Sequence, residues 1–105
     1  MPYIKTEQYL ILIEQKLKDT GLWSANAPSA KALASTSPFA CDTLPFEQWI
    51  QFIFIKKMKQ LIMSHQVLPS KIALAPMAAH VWSQRKDLIG LIGLLAELDT
   101  LLGEQ

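Results

Sequence analysis

Hydrophobic positions recur along this chain at intervals of three and four residues rather than two, and that spacing predicts helices throughout. Across residues 4–20, Leu10, Ile13 and Leu17 share one stripe while Glu7, Glu14 and Lys18 occupy another. This is the pattern of an amphipathic helix. Gly21 follows directly and reads as its terminator, because glycine enters the left-handed region without a Cβ penalty. Leu22 and Trp23 are then expected to fold back on the helix end. Over residues 24–37 small and polar side chains take over, with Pro28 ahead of a short helical turn at 29–33. The stretch reads as a packed connection, with a disordered linker as the alternative.

A second helix is predicted to begin near residues 43–45, where Pro45 suits a first turn and Asp42 or Thr43 can cap free N–H groups. Phe46, Trp49, Ile50, Phe52, Ile53, Phe54, Ile55, Met58 and Leu61 make it apolar on nearly every face. That predicts a central, widely buried element, with Lys56, Lys57 and Lys59 marking its approach to solvent. Residues 66–76 hold two prolines and no helical period, so they form a connection, and a short helix is expected over 77–83 after Pro76. In the last segment Leu88, Leu91, Leu95, Leu98 and Leu102 alternate spacings of three and four, a seam that packs lengthwise on another helix. Gly90 and Gly93 interrupt it, each at roughly 0.8–1 kcal/mol relative to alanine. They predict either a close helix approach or tolerated defects. The expected fold is all-α: a single domain over residues 1–105, a small helical bundle of three long helices plus one short helix.

Composition narrows the function. At 105 residues there is no room for a catalytic domain beside a separate binding domain. Half the residues are apolar and 18% are charged, enough for a packed core with apolar surface left over for a partner or for self-association. A net charge of +1 is no phosphate-neutralising footprint, so direct nucleic-acid binding is unsupported. Lys56, Lys57, Lys59, Lys71, Arg85 and Lys86 read first as a solvated face and second as a contact for RNA or an acidic partner. No apolar run reaches the roughly 18–20 residues of a membrane span, and no basic-then-apolar export signal opens the chain. With one cysteine and no disulfide pair, a cytoplasmic protein is expected.

Candidate chemistry is sparse. His65 and His80 have no His, Cys, Asp or Glu three or four residues on, so helical metal-ligand spacing is absent and neither metal nor cofactor is expected. A site joining His80, Cys41 and Asp42 in three dimensions would escape such spacing. Cys41 beside a helix start reads either as a reactive thiolate or, better, as a packed thiol. Asp42 and Glu47 are accounted for by capping and a favourable first-turn charge. No nucleophile elbow or phosphate-binding loop occurs.

The run Ser37-Pro38-Phe39-Ala40-Cys41-Asp42-Thr43-Leu44-Pro45-Phe46-Glu47-Gln48-Trp49-Ile50-Gln51-Phe52, continuing to Ile55 and Met58 and then through Leu68-Pro69 and Ala73 to Pro76, resembles the YqcC-like family of small bacterial proteins, a domain of unknown function. The likeness covers most of the chain from Trp23 onward. Lys56 stands where members often carry proline, so a kink there is not carried over. The resemblance implies a helical bundle and a cytoplasmic protein of γ-proteobacterial type. It also implies an accessory role in tRNA pseudouridine modification, because family genes often lie beside a tRNA pseudouridine synthase. At matching positions it singles out Pro38, Phe39, Asp42, Thr43, Trp49 and Gln51. Anchoring, capping and packing explain most of these equally well. Gln51, between Ile50 and Phe52, must either face water or find buried partners. Two functions lead, with an enzyme using Cys41 or Asp42 a third alternative. One is a non-catalytic interaction module that docks a protein, such as a tRNA-modifying enzyme, through residues 39–51. The other is a small-ligand site near the start of the central helix.

Overall fold

The computed structural model describes residues 3–33, 44–70 and 72–104, with Ala32 and Leu33 by backbone only. Helix α1 (Tyr3–Asp19) turns Thr6, Leu10, Ile13 and Leu17 inward, the predicted stripe extended by one turn. It ends as glycine permits: Gly21 sits at φ 78°, its N–H donates to the Lys18 carbonyl at 3.2 Å, and Leu22 N–H donates to the Leu17 carbonyl at 2.8 Å. This paired closure satisfies carbonyls that the helix end leaves without partners. Trp23 N–H also reaches the Leu17 carbonyl, at 3.1 Å, so the chain folds back as expected. Helix α2 is a single turn, Ala30–Leu33.

A continuous helical rod follows, made of α3 (Phe46–Trp49), a π-helical turn (Ile50–Phe54) and α4 (Ile55–Met63). Pro45 takes the N-cap position and its carbonyl accepts from Gln48 N–H at 3.0 Å. Asp42 and Thr43, the expected caps, lie outside the described residues. The rod closes like α1, with Gln66 N–H donating to the Leu61 carbonyl at 2.9 Å. Here the left-handed residue is His65, at φ 53°. The Tyr3 hydroxyl donates to the Gln66 carbonyl at 2.7 Å and its ring meets the His65 imidazole edge-on, tying the start of α1 to the end of α4.

Helix α5 spans Leu74–Val81, three residues earlier than the sequence suggested. The reason is tertiary. Asp99, on the last helix, accepts from Leu74 N–H at 3.0 Å and from Ala75 N–H at 2.9 Å, one with each carboxylate oxygen. A cap supplied from 25 residues away cannot be read locally. Pro76 then falls in the first turn, where its missing N–H costs nothing. A 3₁₀ turn (Lys86–Leu88) leads into α6 (Ile89–Gly103). Among the described residues there is no strand, and no helix is long and apolar enough to cross a membrane.

The last helix, not the rod, is the hub. Leu88, Leu91, Leu95, Leu98 and Leu102 are all fully buried, and α6 packs against both α1 and α5. The rod buries Ile50, Phe54, Ile55 and Met58 but leaves Trp49, Phe52, Ile53, Leu61 and Ile62 half-exposed. Its all-round apolar character therefore exceeds what its own core uses. The glycines of α6 mark no close helix approach. A Cβ at Gly93 would meet nothing within 4 Å, and one at Gly90 only the Lys16 side chain at 3.8 Å. Gly93→Ala is accordingly expected to raise stability by about 0.8–1 kcal/mol, the helix-propensity difference, as a higher urea midpoint with an unchanged m-value.

Candidate docking groove

The π-helical turn decides what the middle of the rod presents. In an α-helix residues five apart diverge by about 140° around the axis. Here Ile55 N–H bonds the Ile50 carbonyl instead of the residue four back, and the widened turn brings positions 49 and 54 onto one side. Trp49 and Phe54 consequently stack with ring centroids 5.6 Å apart and planes 25° from parallel. Phe46 stacks on the other face of this row at 5.8 Å from Trp49, and Trp82 of the segment after α5 closes it at 5.3 Å from Phe46. Such aromatic pairs contribute about 0.5–1.5 kcal/mol each beyond the area they bury.

Gln51 points the other way. It is only 6% exposed, and its carboxamide forms a two-bond clamp on one backbone residue. Ser24 N–H donates to Oε1 at 2.8 Å, and Nε2 donates to the Ser24 carbonyl at 2.9 Å. The buried Gln51 thus finds its partners on the half-buried Ser24 backbone, and they pin the connection after α1 to the rod. Pro38, Phe39, Cys41, Asp42 and Thr43 lie outside the described residues. Of the two described residues among the six singled out by resemblance, Trp49 lines open space and Gln51 does not.

That space is a groove of about 700 Å³ between the rod and the connection that leads into α5. Trp49, Phe54, Met58 and Leu61 form its helical wall, and Val67, Pro69 and Ile72 form the other. Val67 is 88% exposed, while Pro69 and Ile72 are half-buried. Among the described residues, Lys57 is the one charged side chain that lines the groove, and it makes no ion pair with another described residue. Helical periodicity found the first wall; the second was missed because apolar residues in a proline-bounded connection carry no period.

A second hollow, of about 450 Å³, lies between the start of α3 and α5. Its polar rim is Glu47 and Arg85, and the Arg85 guanidinium is already held by both oxygens of Asp87 at 2.9 and 2.7 Å. Those hydrogen bonds raise the Arg85 pKa and lower that of Asp87, so each group remains charged and occupied. His65 and His80 are both exposed and on different elements. Among the described residues no three of His, Cys, Asp and Glu converge as metal ligands would. The groove's described lining offers apolar and aromatic contact beside Lys57, which suits binding.

Comparison with known proteins agrees with this architecture. The solution NMR structure of YqcC from E. coli superimposes with a TM-score of 0.86 at 25% identity, covering 97% of this chain and 88% of that one. An uncharacterised protein of Haemophilus influenzae is 33% identical over 97 residues, 92% of each chain. A tRNA pseudouridine synthase C of Pectobacterium carotovorum subsp. carotovorum is 35% identical over 65 residues, which are 62% of this chain and 17% of that one. The family model described as DUF446, tRNA pseudouridine synthase C, matches residues 5–101. The chain therefore belongs to the DUF446 family, the YqcC-like proteins.

Proposed function

We propose that this chain is a non-catalytic docking module that holds a tRNA pseudouridine synthase through the groove beside Trp49. The observation that carries this reading is the groove itself: an aromatic-ended apolar trough on a rod that exposes more apolar surface than its core requires. Contiguous apolar surface of that kind marks interaction sites, and tryptophan at such a site is a common hot spot. The choice of partner is supported by the Pectobacterium protein, whose similar segment takes up 17% of its length. A segment that lies within a protein named tRNA pseudouridine synthase C in one case and takes up 92% of the Haemophilus influenzae protein in another is what a docking module would give, because tethering replaces affinity with effective concentration. The near-neutral charge favours contact with the enzyme over contact with its RNA.

The test is affinity purification of the tagged chain from its own cells, with and without ribonuclease, followed by mass spectrometry. A stoichiometric synthase that survives ribonuclease is expected. A synthase lost with the RNA, or none recovered, would defeat the proposal. The groove volume also lies within the range of about 300–1,000 Å³ that accommodates small molecules, so the competing reading is a small-ligand site. Its signature would be a rise in melting temperature with a metabolite that Trp49→Ala abolishes.

A further inference from the structure

We infer that the groove receives an amphipathic helix of the partner, one whose apolar face carries an acidic residue placed against Lys57; this rests on the docking reading above and specifies the docked segment. The length of the groove suits a helix. Trp49 and Leu61, which line it toward its two ends, are about twelve residues apart, so the helical wall runs roughly 18 Å at about 1.5 Å per residue. That accommodates about three turns. Backbone chemistry points the same way. The N–H and C=O groups of the rod are committed within the helix, and Pro69 on the facing wall has no N–H to offer. An extended segment would find no free main-chain donor along the interior of the rod, whereas a helix satisfies its own backbone and needs only side-chain contact.

Charge selects the kind of helix. Lys57 is the single charged residue among the described residues that line the groove and has no ion-pair partner among the described residues. Its neighbours on the rod are engaged: Lys59 faces Glu14 at 4.0 Å, and the Lys56 ammonium lies over the Phe52 ring at 5.9 Å. A carboxylate arriving beside the apolar contacts would meet an available ammonium, and a basic residue there would be repelled. An open trough with an 88% exposed wall residue, Val67, also fits a helix that keeps its outer face wet. A small molecule is usually enclosed over most of its surface.

The experiment is panning of a phage-displayed library of random peptides, each about three to four helical turns long, against the immobilised full chain and against Lys57→Glu. Lys57 is exposed, and unfolding curves of the two proteins should coincide. Peptides enriched on the natural chain are expected to carry large apolar residues at helical spacing with Asp or Glu among them, and those enriched on Lys57→Glu to carry Lys or Arg instead. Equal charge preferences on the two proteins, enriched peptides without helical spacing, or no enrichment would overturn the inference. A dimer in sedimentation equilibrium that Val67→Glu dissociates would put a second copy in the groove and overturn it too. The two readings fail separately: acidic helical peptides enriched while no synthase binds would sink the docking reading alone, and a synthase that bound Lys57→Glu undiminished would sink this inference alone.

Discussion

Gln51→Glu should destabilise this protein by about 3 kcal/mol at neutral pH although it changes one amide nitrogen to oxygen, because a buried polar group left unsatisfied costs about 1–3 kcal/mol, and more when charged. The substitution is isosteric, so packing is unaltered, but the donor that now lies 2.9 Å from the Ser24 carbonyl becomes a carboxylate oxygen facing another acceptor. Burial and the facing carbonyl both favour the protonated acid, so the folded-state pKa of the new group is raised above its unfolded value of about 4.3. Once protonated, the introduced carboxyl can again donate to the Ser24 carbonyl. The native state therefore binds more protons than the unfolded state between the two pKa values, and stability falls as pH rises through that window, by up to about 1.4 kcal/mol per pH unit. Urea unfolding of both proteins should show the deficit at neutral pH shrinking as the pH is lowered toward about 4. A deficit independent of pH would mean that the Gln51 clamp is not formed. Gln51→Leu, which loses both bonds without adding charge, should cost about 2 kcal/mol at every pH.

Asp99→Ala is the second large effect. It removes two charge-assisted hydrogen bonds from the first turn of α5. Loss of an N-cap costs about 0.5–2 kcal/mol, and loss of a negative charge at a helix N-terminus about 0.3–1 kcal/mol more, so about 2 kcal/mol is expected. For a domain of this size that lowers Tm by roughly 8–16 °C. The local signature is sharper: hydrogen exchange at the Leu74 and Ala75 amides should accelerate well beyond what the global loss explains. Asp99→Asn, which keeps one acceptor oxygen, should lose about half as much. Because Leu74 also lines the groove, Asp99→Ala should weaken partner binding along with stability.

These two clamps show where local sequence reasoning stops. The leucine seam of α6, the stripe of α1 and the Gly21 terminator were legible, since each depends on residues within a few positions of one another. The start of α5 was not, because its cap is Asp99. Neither was the π-helical turn, since Ile50 to Phe54 carry no local signal that distinguishes five-residue from four-residue bonding. That turn sets which aromatics share a side, so the groove was half legible: Trp49 stood out, while Lys57, Val67 and Ile72 acquire meaning only when the connection is laid beside the rod. Gln51 stood out as a polar residue that either faces water or needs partners; it is buried, and its partner is the Ser24 backbone. Gly90 and Gly93 left two readings open, a close approach or tolerated defects, and the open space around Gly93 favours the second.

The most direct measurement is isothermal titration of the purified chain into the tRNA pseudouridine synthase C of the same cells, for the natural chain and for Val67→Glu. Val67 is 88% exposed, so the substitution puts a charge on the groove wall without entering the core. Docking through this groove predicts a one-to-one complex for the natural chain and at least a roughly tenfold weaker Kd for Val67→Glu, about 1.4 kcal/mol. No binding, or equal affinity for the two proteins, would contradict it.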